Sequence, residues 1–222
     1  MTTIAVICLV ISVIIAYLLG SINFAIIVTK LFQKKDIRSC GSGNAGMTNV
    51  LRTLGKGPAA MTFAGDFLKG VAAVWIARIL FTFVAGQPEN FVVEYAAAFA
   101  ALLGHIFPLY YHFKGGKGVA VSAGALIALS PLAFVCCLAV FLVGMYTTKI
   151  VSVGSIACAV AFPIALFMIR TIQDAPHIGL EVLLGTLIAL LVIYMHRSNI
   201  VRLIHGEENS FKKKKNPDQK AG

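Results

Sequence analysis

Three short polar segments of the chain contain residue types that could bind an anionic substrate. The first spans residues 41–52, GSGNAGMTNVLR, and combines glycines, side-chain amides and hydroxyls with one arginine. Glycine-rich backbone lets amide N–H groups approach an anion closely, and a guanidinium can bind a phosphate or carboxylate through two parallel hydrogen bonds. The same composition is typical of a solvated loop between helices, and this segment alone favours neither interpretation.

The second segment is the basic, glycine-rich sequence KGGKG at residues 114–118. An apolar stretch follows it, so its amides would lie at the N-terminus of a helix, where unpaired N–H groups attract anions. Its spacing is not that of a nucleotide-binding P-loop. Taken alone, the segment favours a flexible basic loop over an anion site.

The third segment, HRSNIVRLIHGEE at residues 196–208, follows the last apolar stretch. If the helix continues, His196, Asn199 and, less closely, Arg202 fall on one face. That face would group a titratable ring, an amide and a guanidinium. A helix leaving the membrane, with basic side chains reaching toward lipid head groups, is the open alternative.

The composition requires that these segments be positioned by membrane helices. Of 222 residues, 59% are hydrophobic and 13% are charged, against about 25% charged in a typical soluble chain. Disordered, collagen-like and coiled-coil proteins are excluded by the same values. The apolar residues form six blocks, each bounded by polar residues, at 4–28, 58–84, 91–107, 119–146, 150–169 and 179–195.

The distribution of lysine and arginine predicts the orientation of these blocks. Basic residues concentrate in 30–57, in 108–118 and in the tail from His196, whereas segment 86–94 has two glutamates and no basic residue. Cytoplasmic loops carry the basic excess in membrane proteins. We therefore expect the amino terminus outside and all three polar segments on the cytoplasmic side. Three unrelated loops would not need to share one side of the membrane, so their common location favours a shared site.

The long block at 119–146 decides the number of crossings. A single crossing would put the basic tail outside, whereas two crossings, with a turn at Ser130-Pro131, would put it inside. The halves are short for spanning helices, but short helices are tolerated where they line a protein-enclosed cavity. The sequence thus predicts an all-α integral membrane protein of about seven helices, some short or broken, with a membrane domain at 1–205 and a basic cytoplasmic tail at 206–222.

Charged residues inside the blocks are expected to have structural roles. Asp66 and Lys69, three residues apart, would neutralise each other, because an unpaired charge in the membrane is costly; a direct role in binding the substrate is the open alternative. Arg78 is expected to reach the outer interface and His105 to be a hydrogen-bonded interface histidine. The five cysteines show neither a disulfide framework nor a zinc-site spacing, and we expect no metal and no cofactor.

The three segments together resemble the signature motifs of the bacterial PlsY-type membrane acyltransferases, through SGNAGMTNVLR at 42–52, GGKGVA at 115–120 and HRSNIVRLIHGEE at 196–208. The resemblance extends over nearly the whole chain. It implies transfer of a fatty acyl group from acyl phosphate to the 1-hydroxyl of glycerol 3-phosphate, the first acylation of phospholipid synthesis. It also implies seven helices in the bacterial inner membrane, a site facing the cytoplasm, and the enzyme that supplies acyl phosphate as a partner.

The resemblance also suggests roles for individual residues. The catalytic set is Ser42, His196, Asn199 and Glu207. The substrate-binding set is Gly43, Asn44, Thr48, Asn49, Arg52, Gly115, Gly116, Lys117, Gly118 and Arg202. Arg52 and Lys117 are assigned to phosphate charge, and the glycines at 115, 116 and 118 to backbone contacts with phosphate. The reaction would be direct, without an acyl-enzyme, and His196, Glu207 and the departing phosphate are all candidates for the proton acceptor.

Two other classes of protein are weighed against this interpretation. An acyltransferase using acyl-CoA or acyl carrier protein would be expected to carry a His-x-x-x-x-Asp pair, and no histidine of the chain has aspartate five positions on. A transporter of phosphate or organophosphate would also use broken helices and anion-binding loops. It should hold its anion near the middle of the membrane, however, whereas Arg52, Lys117 and His196 map to its boundary. No nucleic-acid motif is present.

Overall fold

The computed structural model describes residues 2–88 and 90–210, and within these ranges the regular structure is helical throughout. The helices are α1 Thr3–Ser21, α2 Phe24–Gln33, α3 Met47–Leu54, α4 Lys56–Ile79, α5 Phe91–Ile106, α6 Val119–Leu129, α7 Pro131–Thr148, α8 Val151–Ile172, α9 Ile178–Met195 and α10 Arg197–Ile204. A π-helical turn, Leu80–Val84, extends α4, and 3₁₀ turns lie at Ile37–Ser39 and Leu109–Tyr111. The all-α prediction is confirmed.

Within the described residues, six helical segments are long and apolar enough to cross a membrane, and α6 is a shorter apolar helix. Large apolar side chains, among them Val143, Phe167 and Leu190, are more than half exposed on the outside of the bundle. Exposing such an apolar surface to water is unfavourable, whereas contact with lipid chains avoids that free-energy cost.

The first apolar block is broken, although one continuous run was expected at 4–28. α1 ends at Ser21, and the side chain of Asn23 accepts a hydrogen bond from Ile26 N at 3.1 Å, which caps α2. An asparagine at this position starts a new helix because it satisfies an N–H group that has no partner within the helix. The polar stretch at 30–57 is likewise not all loop, since it contains α3 and the start of α4.

The break in the fourth block lies where the sequence predicts it. Ser130 has extended backbone between α6 and α7, and Pro131 is the first residue of α7. Proline is favoured there because its missing N–H would have no helical partner in any case. The break at Ser130-Pro131 is therefore confirmed.

α6 and α7 run in opposite directions through the bundle. Lys117, just before α6, contacts Asn199 of α10, and the carbonyl of Lys149, just after α7, accepts a hydrogen bond from Ser210 Oγ at 3.3 Å. α6 therefore begins, and α7 ends, at the end of the bundle that holds α10, which we call the site end. The number of membrane crossings stays a prediction, because the 11 residues of α6 extend only about 16 Å.

The helices pack closely because small residues line their contacts. Gly20 lies against the backbone of Ala101, and Gly104 against the backbone of Tyr17, which joins α1 to α5. Gly70 and Gly124 form the equivalent contact between α4 and α6. Small residues at such interfaces let helix backbones approach closely, which is how membrane helices gain packing energy. The site end is thus built on a tightly packed frame.

Within the described residues, the charged side chains of the apolar blocks are paired. Lys69 Nζ lies 2.8 Å from Asp66 Oδ1, as predicted. That Arg78 reaches the outer interface stays a prediction; within the bundle its guanidinium donates to Glu94 at 2.9 and 2.7 Å and to the carbonyl of Ala128. Pairing with the carboxylate is favourable because the attraction between the two charges offsets part of the cost of removing both from water.

Of the basic tail expected at 206–222, only residues 206–210 belong to the described part of the chain. The lysine run at 212–215 and Glu89 of the outer segment lie outside the described residues. The division between a membrane domain and a tail stays a prediction.

Candidate active site

A cavity of about 700 Å³ opens at the site end and brings the three polar segments together. Its mouth is polar and includes Ser42, Arg52, Lys117, Asn199 and Arg202. Its inner part lies between α6, α7, α8 and α9 and is apolar, lined by Leu126, Phe134, Leu138, Ala159, Phe162, Ala189 and Val192. One cavity therefore offers a cationic entrance and an apolar interior.

The first polar segment forms a turn followed by α3. Ser42, Gly43 and Asn44 line the cavity from the turn, and Thr48 and Arg52, one helical turn apart on α3, line it from the helix. Residues four apart project from the same face of a helix, which explains why both reach the cavity. Arg52 also donates a long hydrogen bond, 3.4 Å, to the carbonyl of Asn209.

Asn49 also borders the cavity, but its side chain is committed to the turn. Its Oδ1 accepts from Ser42 N at 3.0 Å, and its Nδ2 donates to the carbonyls of Cys40 at 2.9 Å, Asn44 at 3.1 Å and Ile37 at 3.3 Å. A primary amide has two N–H groups, so no donor is left for a ligand. The geometry gives Asn49 the task of shaping the turn rather than the substrate contact expected for it.

In the second segment, the expected phosphate contacts of Gly115 and Gly116 do not fit the structure. Gly115 N donates to the carbonyl of Ile106 at 3.0 Å and Gly116 N to that of His105 at 3.2 Å, and neither glycine borders the cavity. Gly118 does border it, with φ +82°, at the start of α6. Glycines at 115 and 116 are required instead because the end of α5 leaves no room for a side chain.

In the third segment, a break at His196 ends α9 and starts α10. His196 and Asn199 are buried at the cavity wall, and Arg202 is half-buried beside them. The imidazole Nδ1 of His196 lies 2.8 Å from the carbonyl of Val192. Because a carbonyl only accepts, Nδ1 carries the proton, and Nε2 of the neutral ring is left as an acceptor.

Glu208, not Glu207, provides the carboxylate of the site. Its Oε1 accepts from Asn199 Nδ2 at 2.7 Å and Ser152 Oγ at 3.1 Å, and its Oε2 accepts from Arg202 Nε at 2.7 Å. Glu207 is exposed and does not border the cavity. Its assignment as a catalytic residue is therefore corrected, because the chain turns back after α10 and directs the next side chain inward.

The electrostatics of the mouth favour an anionic ligand. Burial, together with the neighbouring Arg202 guanidinium, lowers the pKa of Lys117 to about 8. Burial also lowers the pKa of His196 below its usual value, and the adjacent Lys117 acts in the same direction. Near neutral pH the mouth therefore has a largely cationic Lys117 beside a neutral imidazole, a combination that can hold a phosphate and accept a proton.

Sequence reasoning missed several residues of this cavity. Glu208 belongs to the third segment but has no role in the sequence-based assignment, although the pair of adjacent glutamates was a usable signal. Ser152, at the start of α8, and the apolar lining have no motif that could have revealed them, because they come from separate blocks. Within the described residues, no group of three His, Cys, Asp or Glu side chains is arranged to hold a metal ion.

Comparison with known proteins gives a consistent result. A family model described as glycerol-3-phosphate acyltransferase matches residues 10–206. The glycerol-3-phosphate acyltransferase of Clostridioides difficile (strain 630) is 44% identical over 202 residues, covering 91% of this chain and 95% of the relative.

Two crystal structures of PlsY (YgiH), an integral membrane glycerol 3-phosphate acyltransferase, are also similar. The glycerol 3-phosphate form is 36% identical with a TM-score of 0.78, and the lysophosphatidic acid form is 35% identical with a TM-score of 0.76. Each match covers 91% of this chain and 95% of the solved chain.

Proposed function

The chain belongs to the glycerol-3-phosphate acyltransferase family, an integral membrane enzyme family, and we propose that its acyl donor is an acyl phosphate. In this reaction the 1-hydroxyl of glycerol 3-phosphate attacks the acyl carbonyl, and the bond from that carbon to the phosphate oxygen breaks. The products are 1-acyl-glycerol 3-phosphate, or lysophosphatidic acid, and inorganic phosphate. The lysophosphatidic acid form of the similar PlsY structure supports the product.

The observation that carries the proposal is the continuity of the cationic mouth with the apolar interior in one cavity. Each methylene taken from water into an apolar environment gains about 0.8 kcal/mol, so a long acyl chain stays out of water. The acceptor, by contrast, is small, doubly anionic and water-soluble. A cavity at the boundary of the membrane can receive the acyl chain from one side and the acceptor from the other.

We assign the phosphate groups to the mouth. In the described part of the chain, the cavity wall there has the cationic side chains of Arg52, Lys117 and Arg202 against the carboxylate of Glu208. Charge-assisted hydrogen bonds from such groups are about twice as strong as neutral ones. Ser42, Gly43, Asn44, Thr48 and Gly118 surround the same opening and are proposed as further substrate contacts.

We propose that His196 Nε2 accepts the proton of the attacking hydroxyl. The contact of Nδ1 with Val192 O leaves Nε2 available, and the lowered pKa of His196 keeps the ring neutral. Asn199 would orient substrate oxygens while it holds Lys117 and Glu208. The proton then passes to the departing phosphate or to water, and Ser42 acts by binding, without a covalent acyl intermediate.

We also propose that the protein lies in the bacterial inner membrane with the site end in the cytoplasm. The basic residues of 30–38 and 114–117 belong to the site end, in line with the cytoplasmic excess of lysine and arginine. Leu132→Cys, at the exposed start of α7, tests this topology when Cys40, Cys136 and Cys158 are first replaced by serine. Labelling at residue 132 should occur from the outside, and labelling only from the cytoplasm would contradict seven crossings.

The donor is tested with purified, detergent-solubilised protein and glycerol 3-phosphate, supplied in parallel with palmitoyl phosphate or palmitoyl-CoA. We expect lysophosphatidic acid and phosphate from the acyl phosphate alone. Product from the thioester alone would contradict the proposed donor, and product from neither, with an active relative alongside, would contradict the proposed reaction.

The site is tested in the same assay with Arg52→Ala and Lys117→Ala. The matched control is Lys114→Ala, because Lys114 belongs to the same basic loop but is exposed and does not border the cavity. We expect loss of activity in the first two variants and near-normal activity in the control. Equal effects of Lys114→Ala and Lys117→Ala would indicate that only the net charge of the loop matters.

A further inference from the structure

Three ionisable side chains that have no role in the proposed reaction are buried beside the polar part of the cavity, and two of them, Asp66 and His105, form part of its wall. Asp66, Lys69 and His105 are 1%, 5% and 3% exposed. Lys69 Nζ lies 2.8 Å from Asp66 Oδ1 and 3.1 Å from His105 Nδ1, and Asp66 Oδ1 lies 3.5 Å from the same ring nitrogen. Burying such groups is costly even when they pair, and apolar side chains of similar size would stabilise the fold at least as well. We refer to these residues as the buried triad.

The buried triad is anchored to the break between α1 and α2. Lys69 Nζ donates to the carbonyl of Ile22 at 2.5 Å. Carbonyl groups at the end of a helix lack the N–H partner that they have within it, and a lysine is a strong replacement. The ammonium of Lys69 is therefore held by a backbone oxygen, a carboxylate and a ring nitrogen, which fixes its position.

His105 connects the buried triad to the loop that carries Lys117. Lys69 and Asp66 both face Nδ1 of the ring, whereas a Cβ atom added to Gly116 would collide with Nε2 on the opposite edge. The carbonyl of His105 also accepts from Gly116 N at 3.2 Å. Gly116 thus rests directly on the ring and backbone of His105.

Gly116 is also the point where the loops of the first and second polar segments meet. The same added Cβ atom would collide with the carbonyl oxygen of Ala45, within the first segment. The residue after Gly116 is Lys117, whose ammonium reaches Asn199 in the third segment. Because the His105 ring supports Gly116 from one side, the position of the ring determines where the next residue, Lys117, meets the other two segments.

We propose that His105, held by Lys69 and Asp66, is a positioning residue that places Lys117 for binding the phosphate of glycerol 3-phosphate. This inference rests on the proposed anion site but not on the identity of the acyl donor. Removing the ring leaves a gap under Gly116, and the loop then loses its support on one side. A displacement of about 1 Å in a binding group can reduce its effect on the order of 100-fold.

The test compares three substitutions of His105 by the KM and kcat for glycerol 3-phosphate and by calorimetric binding of glycerol 3-phosphate alone. His105→Ala should raise KM and the dissociation constant about 10- to 100-fold, with a smaller change in kcat. His105→Gln extends an amide to the position of Nε2 under Gly116 and should restore most of the affinity. His105→Asn keeps an acceptor for Lys69, so the buried charges stay paired, but leaves the gap, and should behave as His105→Ala.

The matched control is Tyr95→Phe, in the outer half of the same helix. Tyr95 is buried and its hydroxyl contacts Glu181 at 3.3 Å, far from Gly116. Loss of folded protein lowers the apparent kcat without changing KM, so this variant should leave the affinity for glycerol 3-phosphate unchanged.

Unchanged KM and binding in His105→Ala, or in His105→Asn where the alanine variant does not fold, would overturn the inference while the proposed site stands. Failure of His105→Gln to recover affinity would also overturn it. Absence of glycerol 3-phosphate binding to the wild-type protein would instead refute the anion site itself.

Discussion

The ammonium of Lys117 donates a hydrogen bond to Oδ1 of Asn199 across 82 residues of sequence. This contact joins the loop before α6 to α10, two elements that are far apart in the sequence. Asn199 also donates to Glu208, so one amide links a cation and a carboxylate at the mouth of the cavity. The relationship defines the site more sharply than any of the polar segments does alone.

Replacing Asn199 should separate these two charged groups. In Asn199→Ala, Lys117 and Glu208 each lose a hydrogen-bond partner, and hydrogen bonds to charged groups contribute about 1.5–3 kcal/mol. We expect kcat/KM for glycerol 3-phosphate to fall about 10- to 100-fold. The control is Asn90→Ala, which removes the cap of α5 at the far end and should change stability but not KM.

The lowered pKa of Lys117 predicts a loss of activity in alkaline solution. With a pKa of about 8, the side chain is cationic below that pH and becomes neutral above it, so phosphate binding weakens as pH rises. kcat/KM for glycerol 3-phosphate, which reports the free enzyme, should therefore decline above pH 8. Lys117→Arg keeps its charge throughout this range, and an unchanged alkaline decline in that variant would assign the decline to another group.

His196 should control the acidic side of the same profile. Its neutral form is the proposed base, so activity falls as pH drops through its lowered pKa. His196→Ala should reduce kcat about 10²- to 10⁴-fold and remove this part of the acidic decline. The second ionisation of the substrate phosphate also titrates there, and it is the same in both proteins. Near-normal turnover with an unchanged profile would favour the departing phosphate as the proton acceptor.

The apolar interior should set the acyl chain that the enzyme accepts. Ala159 is buried and borders the cavity, so Ala159→Phe would fill part of the space proposed for the chain. Each methylene that no longer fits loses about 0.8 kcal/mol, or about fourfold in affinity. Palmitoyl phosphate should therefore lose more kcat/KM than decanoyl phosphate. Val160→Phe, on the exposed side of the same helix, should change neither.

The pair of Arg78 and Glu94 should contribute to stability alone. Removing one partner of a buried ion pair costs about 3–5 kcal/mol, so Glu94→Gln should unfold at lower temperature. Arg78 lies 4.7 Å from the ring of Trp75, the one tryptophan of the chain, whose fluorescence can follow unfolding. KM for glycerol 3-phosphate should not change, and a raised KM without loss of stability would contradict this role. Glu207→Gln, at the surface, is the control.

The helical fold could be predicted from the sequence because a bilayer limits the choices. Backbone N–H and C=O groups find no partner in hydrocarbon, so long apolar runs must form helices. The break at Ser130-Pro131 was predictable for a similar local reason, since proline begins a helix but does not continue one. The break at Asn23 was missed, because Gly20, Ser21 and Asn23 are too few to interrupt an otherwise apolar run in a hydropathy average.

The chemistry of the site was also determined locally. Glycines, amides and guanidinium groups in three segments indicate an anion, and basic residues put the three segments at one end. What each of these residues does depends on its neighbours in space. The N–H groups of Gly115 and Gly116 donate to carbonyls at the end of α5 rather than to a ligand in the cavity. The side-chain amide of Asn49 is used in hydrogen bonds within the turn around Ser42.

The choice between Glu207 and Glu208 shows most clearly what the sequence alone could not decide. Gly206 has φ +69°, and Glu207 N donates to the carbonyl of Arg202 at 2.8 Å, so the chain reverses after α10. That reversal directs Glu208 toward Asn199 and leaves Glu207 in solvent. Adjacent side chains of identical chemistry differ only in direction, and direction is decided by the tertiary path of the backbone. Residue types thus indicated an anionic ligand, and the packing of the chain decided which atoms face the cavity.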